Sequence, residues 1–232
     1  MAPFTIEQFL GVIDAYNAAI WPIQILAYGH GLIAVSALWF RKPLAAQLIQ
    51  SILALMWALN GIGYHFLFFA EINPIAKGFA AFFVLQSIIF AVSVFAPSDL
   101  RFEVRLDFRS TAGLSFIVYA LLIYELLGYR VGHGLMAGPL FGVAPCPTTV
   151  FTIGMLLLAR GKWVVWLSII PLLWSLVGLA AALQLRIPED FGLPVAGITL
   201  AVALIIERFR TRRVGPMATK NRLSVLEHRG QP

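Results

Sequence analysis

Charged residues are scarce in this chain. Only 12% of its 232 residues are Asp, Glu, Lys or Arg, whereas 60% are hydrophobic. A soluble domain carries about 25% charged and about 45–50% apolar residues, so this chain lacks the charge to cover a core with a water-facing surface. The composition excludes an ordinary soluble domain and predicts an integral membrane protein whose solvent is the lipid bilayer.

Cysteine is almost absent as well. The single cysteine, Cys146, excludes an intramolecular disulfide and any zinc or iron–sulfur site that is built from several cysteines. The sequence has neither a CxxCH haem-attachment motif nor an HExxH metalloprotease motif. No lysine lies in the middle of a predicted span, so none is placed to form a Schiff base with retinal. These absences weigh against several classes of cofactor protein and enzyme.

Long apolar runs divide the chain into seven predicted membrane spans. A straight helical span needs about 20 residues, and two of the seven runs are shorter than that. Ahead of the first run, Thr5 and Gln8 have the spacing of a capping box, which predicts an interfacial helix over residues 1–18. The predicted spans are 21–40, 46–70, 75–95, 111–127, 148–159, 163–183 and 191–206.

The basic residues support this division. Of 17 Lys and Arg residues, 14 fall in segments predicted to face the cytosol, and only Lys77, Arg130 and Arg186 fall in the others. Because cytoplasmic loops are enriched in Lys and Arg, we expect a multi-pass protein of the cell inner (plasma) membrane, with the N-terminus out and the C-terminus in. Such scattered charge does not form the patch that nucleic-acid binding needs. We predict an all-α transmembrane bundle over residues 1–212 and a polar cytosolic tail over residues 213–232.

The connector at residues 100–109 alternates strictly between apolar and charged residues (LRFEVRLDFR). A period of two indicates an extended strand rather than a helix. A single strand is unstable alone, so we expect it to lie on the membrane surface or to pair with the chain's own tail. In the alternative, its edge recruits another subunit, which would make the protein a homo-oligomer.

Polar side chains inside the predicted spans are the candidate functional groups, because intramembrane ionisable residues are costly and usually serve a function. Counted at about 1.5 Å per residue from the span ends, His65, Glu125 and Cys146 lie about 7–9 Å below the outer surface. His30 and Gln86 lie about 14 Å deep by the same count. This distribution predicts a polar site that opens outward above an apolar inner half.

Each candidate also has a purely structural interpretation: a hydrogen bond within the bundle, close helix packing, or a place in the interfacial aromatic belt. The candidate substrate-binding residues are His30, Asn60, Tyr64, His65, Gln86, Glu125, Cys146, Thr148 and Thr149.

The segment before Thr148 cannot be an ordinary loop. Five glycines and three prolines in residues 128–147 prevent a continuous helix, yet its centre (LMAGPLFGVAP) is too apolar for a solvated loop. At membrane depth, non-helical backbone is tolerated only inside protein or along a water-filled cavity. We therefore expect either a re-entrant element or an outer cap.

Pro147 suits the first turn of a helix, which would put Cys146 at or near the N-cap. The free amides and the dipole of such a helix end would favour an anion, and Thr148 and Thr149 would add hydroxyl groups. This end is therefore a candidate anion site or a soft-metal site, unless the cysteine is simply buried and inert. The candidate metal ligands are Cys146, His65 and His133.

Two motifs carry a resemblance to a known family. FGVAPCPTTVFTIG at 141–154 and NGIGYHFLFFAEINP at 60–74 resemble a bacterial family of multi-pass membrane proteins of unknown function, often labelled permeases. The likeness spans most of the chain from Phe4 to Ala159 and is weaker beyond. It implies a membrane fold and no catalytic residue.

These observations favour a permease for a small solute or ion, with no resident cofactor and with its substrate site among the outer polar residues. The alternative is a membrane redox or cofactor protein in which His30 and His65 ligate a b-type haem, although their predicted depths differ by about 5 Å. A thiol-dependent membrane enzyme and a scaffold or sensor are the remaining classes.

Overall fold

The computed structural model describes residues 4–40, 43–96, 99–132, 134, 137–185 and 187–209, which are mostly helical. The predicted all-helical class is confirmed. The elements are α1 (Ile6–Ala19), α2 (Ile23–Ala37), α3 (Pro43–Glu71), α4 (Ala76–Phe95), β1 (Arg101–Phe102), α5 (Phe108–Arg130), α6 (Pro145–Leu158), β2 (Ala159–Arg160), α7 (Trp163–Leu185) and α8 (Pro188–Phe209).

Five of the described helices, α3, α4, α5, α7 and α8, are long and apolar enough to cross a bilayer. The pair α1 and α2 makes a sixth candidate, although the two are bent by 86°. Helix α6 is apolar but has only 14 residues. The fold is therefore compatible with an integral membrane protein of five or six long spans, and the division into seven stays a prediction.

Two helices begin ahead of the predicted spans, and each begins at a proline. The last predicted span, 191–206, lies within α8, which begins at Pro188 and runs to Phe209. Helix α6 begins at Pro145, so its N-cap is Ala144 and Cys146 is its second residue. Proline fixes φ near the helical value and needs no hydrogen bond in the first turn, so it starts a helix ahead of the apolar run.

The N-terminal helix begins as the sequence predicts. The Thr5 N–H donates to Gln8 Oε1 at 2.9 Å, and the Gln8 N–H donates to Thr5 Oγ1 at 3.3 Å, which completes the capping box. The 86° bend after α1 would lay this helix along the membrane surface if α2 crosses the bilayer. Its interfacial position remains a prediction.

Helix α6 lies in the centre of the bundle, and all its residues except Cys146 are buried. It crosses α5 at Gly113 and Gly154, where a Cβ on either glycine would lie 2.8 Å from the other's carbonyl oxygen. On the outside, large apolar side chains such as Leu44 and Ile198 are exposed. Small residues at helix crossings and an apolar exterior are typical of helices that pack in lipid.

The alternating connector is a strand only at Arg101–Phe102, which pairs antiparallel with Ala159–Arg160. The expected partner, the C-terminal tail, lies outside the described residues, and the observed partner is instead the link between α6 and α7. Glu103 pairs with Arg101 at 2.9 Å and with Arg105 at 2.6 Å. Ion pairs on one side and burial of Phe102 on the other fit the period of two in the first half of the connector, whereas Leu106 and Phe108 in its second half are exposed.

Two arginines form hydrogen bonds at the C-terminal end of α6. The Arg160 Nη1 group donates to the Ala159 carbonyl oxygen at 3.0 Å, and Arg109 Nη2 donates to the same oxygen at 3.2 Å. Arg160 also pairs with Asp107 at 3.3 Å, and Arg109 pairs with Glu207. Because cations complement the negative end of a helix dipole, these contacts anchor the buried helix at this end.

Candidate functional site

A cavity of about 110 Å³ lies at the other end of α6, beside its first turn. Helices α1, α3, α4, α5, α7 and α8 also contribute to its walls. A larger groove of about 280 Å³ lies beside β1, and its described lining contains none of the predicted site residues. The polar residues that line the smaller cavity are Tyr64, His65, Asn73, Tyr124, Cys146 and Asp190.

Tyr64 and His65 belong to a π-helical segment of α3, Leu59–Phe68. Its hydrogen bonds run from residue i to i+5, a winding that is rare and frequent at functional sites. Gly61 allows the segment to approach α4, because a Cβ there would lie 3.0 Å from the Phe83 side chain. The glycine-containing motif therefore brings the two candidate residues against neighbouring helices at the cavity.

His65 is fully buried and surrounded by aromatic rings. Its ring centroid lies 4.7 Å from that of Phe83, 5.1 Å from Trp174 and 5.8 Å from Phe79. Within the described part of the chain, neither Nδ1 nor Nε2 has a hydrogen-bond partner. A neutral imidazole has one donor and one acceptor, and a buried polar atom without a partner is uncommon in folded proteins. Of the cavity residues, His65 has the clearest need for a ligand or water.

Tyr124, Asp190 and Cys146 form a second polar group in the cavity. The Tyr124 hydroxyl donates to Asp190 Oδ1, and the Asp190 carboxylate lies next to the Cys146 thiol. Trp174 Nε1 approaches the same thiol but makes no well-formed hydrogen bond to any described acceptor. Asp190 is buried in the first turn of α8, where the positive end of the helix dipole stabilises a carboxylate.

The first turn of α6 offers few donors for an anion. A helix normally presents free N–H groups there, but Pro145 and Pro147 have none. Of the first three residues of α6, only Cys146 has a backbone N–H group. Thr148 and Thr149 donate their hydroxyls, at 2.7 and 2.8 Å, to the carbonyl oxygens four residues earlier. The geometry therefore does not favour the predicted anion site.

Two other candidate residues make structural hydrogen bonds away from the cavity. Gln86 Nε2 donates to the Leu167 carbonyl oxygen at 2.9 Å and so joins α4 to α7. His30 Nδ1 lies 2.7 Å from the Leu26 carbonyl oxygen one turn earlier in α2. Both contacts are hydrogen bonds within the bundle, which is the structural interpretation of these two residues.

Asn60 and Glu125 hold the non-helical segment that precedes α6. Asn60 Nδ2 donates to the Gly142 carbonyl oxygen at 3.2 Å, and Glu125 accepts the Phe141 N–H at 2.9 Å. Residues 138–144 are all buried, and Gly142 has φ +77°, which suits glycine. The segment is thus enclosed by protein, a condition that both the re-entrant and the cap interpretations satisfy.

Of the three residues predicted at one depth, His65 and Cys146 line the same cavity. Glu125 instead borders a small neighbouring cavity, and Tyr124 borders both. His133 lies outside the described residues. Among those that are described, no group of three or more His, Cys, Asp or Glu residues is arranged to hold a metal ion, so the soft-metal interpretation gains no support.

The cavity also fits a haem poorly. Ligand and cofactor pockets usually measure about 300–1,000 Å³, whereas this one measures about 110 Å³. His30 is not among the described lining residues, so the two predicted axial ligands do not face one space. The geometry does not bring His30 and His65 together as a haem site.

Sequence reasoning misses Asp190, Asn73 and Trp174. Asp190 carries one usable signal, because proline followed by two acidic residues is typical of a helix start. Recognising that start would have placed the carboxylate in the first turn of α8. Asn73, in the link between α3 and α4, and Trp174 of α7 carry no comparable signal, because only the tertiary packing of the helices brings them to the cavity.

The fold and the cavity describe an apolar helical bundle, compatible with an integral membrane protein, that has a small internal site. Residues 6–215 match a family described as "Family of unknown function (DUF6064)", and the chain belongs to this family. The match extends past Ala159, where the resemblance of the motifs weakens. No curated protein and no solved structure matches the chain.

Proposed function

We propose that the protein is a small-solute permease of the bacterial inner membrane and that the cavity beside Cys146 is its substrate site. In this proposal α2 to α8 cross the bilayer seven times. The two shortest, α2 and α6, have 15 and 14 residues. At about 1.5 Å per residue they extend roughly 21–23 Å, and the buried segment before α6 completes its crossing.

The distribution of charge supports an outward-facing site. Arg109 and Arg160 lie at the C-terminal end of α6, together with β1 and β2, whereas the cavity lies at the N-terminal end. Basic residues mark the cytosolic side of membrane proteins. The cavity would therefore face the outside, and a substrate would reach it before passing the apolar inner half of the bundle.

The observation that carries the proposal is the environment of His65. The imidazole is enclosed by aromatic rings, and the described chain supplies no partner for either ring nitrogen. A residue that served packing alone would cost free energy at this position, because buried polar atoms are destabilising without hydrogen bonds. A solute that enters the cavity would supply those hydrogen bonds.

The test is the permeability of proteoliposomes to small solutes. Ala181 of α7 lines the cavity, whereas its neighbour Ala180 is exposed on the same helix. Ala181→Phe should fill the cavity, and Ala180→Phe is the matched control. We expect urea, acetamide or methylammonium to enter faster than in protein-free vesicles, as recorded by stopped-flow light scattering. Ala181→Phe should remove this increase, and Ala180→Phe should retain it.

The proposal fails if all three solutes cross no faster than in protein-free vesicles. It also fails if both phenylalanine variants transport as well as the wild-type protein, because the cavity would then not lie on the permeation route.

A further inference from the structure

The size of the cavity limits what it can hold. An engineered cavity of about 150 Å³ in another protein accommodates benzene. The cavity beside Cys146 measures about 110 Å³ and is lined mainly by apolar and aromatic side chains. By proportion, its occupant has about four or five non-hydrogen atoms.

Three side chains of the lining have polar atoms without a hydrogen-bond partner in the described part of the chain, namely His65, Asn73 and Trp174. They are 0%, 6% and 8% exposed, so each is enclosed by the bundle. His65 belongs to α3, Asn73 to the link between α3 and α4, and Trp174 to α7. Because unpartnered buried polar atoms are uncommon in folded proteins, their meeting at one cavity points to an occupant that hydrogen-bonds to them.

The unpartnered atoms of these three side chains include as many donors as acceptors. Trp174 Nε1–H is a donor, and Asn73 Oδ1 is an acceptor. His65 in its neutral form adds one of each, an N–H on one ring nitrogen and a lone pair on the other. Tyr124 and Asp190 hydrogen-bond to each other, so they do not add to this set.

This balance selects the hydrogen-bonding groups of the occupant. A molecule that only donates would leave Trp174 without an acceptor, and one that only accepts would leave Asn73 without a donor. Either molecule would bury an unsatisfied polar atom, which costs free energy. A hydroxyl group has a single donor, whereas a primary amide has two N–H donors and a carbonyl oxygen with two lone pairs. The amide therefore matches both kinds of atom.

We propose that the cavity binds a small uncharged amide of the class of urea and acetamide. Its N–H groups donate to Asn73 and to the unprotonated ring nitrogen of His65. Its carbonyl oxygen accepts from Trp174 and from the His65 N–H, and its flat face packs against the aromatic rings. The inference rests on the proposed function, since it names the substrate class of the same site.

Four probes of one shape and different hydrogen-bonding groups test the inference. Acetamide, acetone, acetate and acetamidinium share a planar branched skeleton, and each gives a single methyl signal in a proton NMR spectrum. Acetamide donates and accepts, acetone and acetate only accept, and acetamidinium only donates. Saturation-transfer NMR titrations on the purified full-length protein in detergent should show acetamide binding about tenfold more tightly than each of the other three.

Variants of the lining separate the donor from the acceptor. Trp174→Phe removes a donor and keeps a ring, so it should weaken the binding of both acetamide and acetone, acetamide by about tenfold. Trp166→Phe is the matched control, because Trp166 is 63% exposed on the same helix, and it should bind as the wild type does. Asn73→Leu removes an acceptor, so it should weaken acetamide by about tenfold and leave acetone, which donates nothing, within about twofold.

Equal or weaker affinity of the wild-type protein for acetamide than for any other probe overturns the inference, and this comparison needs no variant. Absence of saturable binding by all four probes also overturns it, since the cavity would then hold water only. Acetamide binding that is unchanged in both Trp174→Phe and Asn73→Leu would place the amide elsewhere and has the same consequence.

The outcome for the permease proposal is separate. If solutes still permeate proteoliposomes and Ala181→Phe still blocks them, the permease proposal survives a failure of the amide site. Selective binding of acetamide that Ala181→Phe abolishes, without permeation of any solute, has the opposite meaning. The amide site then stands and the permease proposal falls.

Discussion

The crossing of α5 and α6 predicts that Gly154→Ala destabilises the protein. A Cβ at this position would lie 2.8 Å from the Gly113 carbonyl oxygen and 2.9 Å from Ile117 Cγ1, whereas ordinary contacts begin at 3.4 Å. The oxygen belongs to the backbone of a helix, so it cannot move aside as a flexible side chain can. The helices would have to separate, and overpacking of this kind costs about 1–3 kcal/mol.

Gly29→Ala in α2 is the matched control. A Cβ at Gly29 meets no described atom within 4 Å, and alanine stabilises a helix interior by about 0.5–1 kcal/mol relative to glycine. The same chemical change should therefore have opposite signs at the two sites. For a chain of this size, 1 kcal/mol shifts Tm by about 2–4 °C, so Gly154→Ala should lower Tm by about 2–12 °C.

Thermal unfolding of the purified variants in one detergent, followed by circular dichroism, measures this difference. Gly29→Ala should leave Tm unchanged or raise it. A Gly154→Ala protein as stable as Gly29→Ala would refute the reasoning, because the two helix backbones could then not be in contact at Gly113 and Gly154.

Two further predictions concern the two ends of the bundle. Burial of the Asp107 carboxyl opposes its ionisation, but hydrogen bonds from Ser110 and the charge of Arg160 outweigh burial and lower the pKa of Asp107 from its ordinary 3.8. Its stabilising contribution is complete above that ordinary value and is lost as the pH falls through the lower folded-state value. The Tm advantage of the wild type over Asp107→Asn should disappear in that acid range. The advantage is small because Asp107 is partly exposed. At the other end, Cys146 should react in intact spheroplasts with 2-aminoethyl methanethiosulfonate and poorly with a maleimide–polyethylene glycol. Equal labelling by both reagents, scored by mass and gel shift, would contradict an enclosed site that is reached from outside.

The helical architecture follows from hydropathy, because apolar runs of about 20 residues have few alternatives in lipid. Hydropathy alone does not locate the helix ends, and Pro145 and Pro188 start α6 and α8 ahead of their apolar runs. The connector shows a different limit. Its period of two predicts a strand over ten residues, but only two residues pair in a sheet, Glu103 pairs with the arginines on either side of it, and Leu106 and Phe108 are exposed.

Counting residues along a helix predicts how deep a side chain lies in the membrane, but it does not predict on which side of the helix that side chain lies. His65 and Cys146 share one cavity at one end of the bundle, as their similar predicted depths suggest. Glu125 has nearly the same predicted depth but binds the Phe141 amide and borders the neighbouring cavity. The rotation of each helix about its axis decides this difference, and that rotation depends on packing against elements that are distant in the chain.

The predicted anion site shows which part of the chemistry is readable before packing is known. The anion hypothesis counts the N–H groups at the start of α6, and Pro145 and Pro147 already lower that count in the sequence. The position of the Asp190 carboxylate cannot be read from the sequence in this way, because it depends on how α8 packs beside α6. The start of α6 is therefore poorly suited to an anion, because two of its first three residues lack an N–H group and the carboxyl group of Asp190 lies beside them.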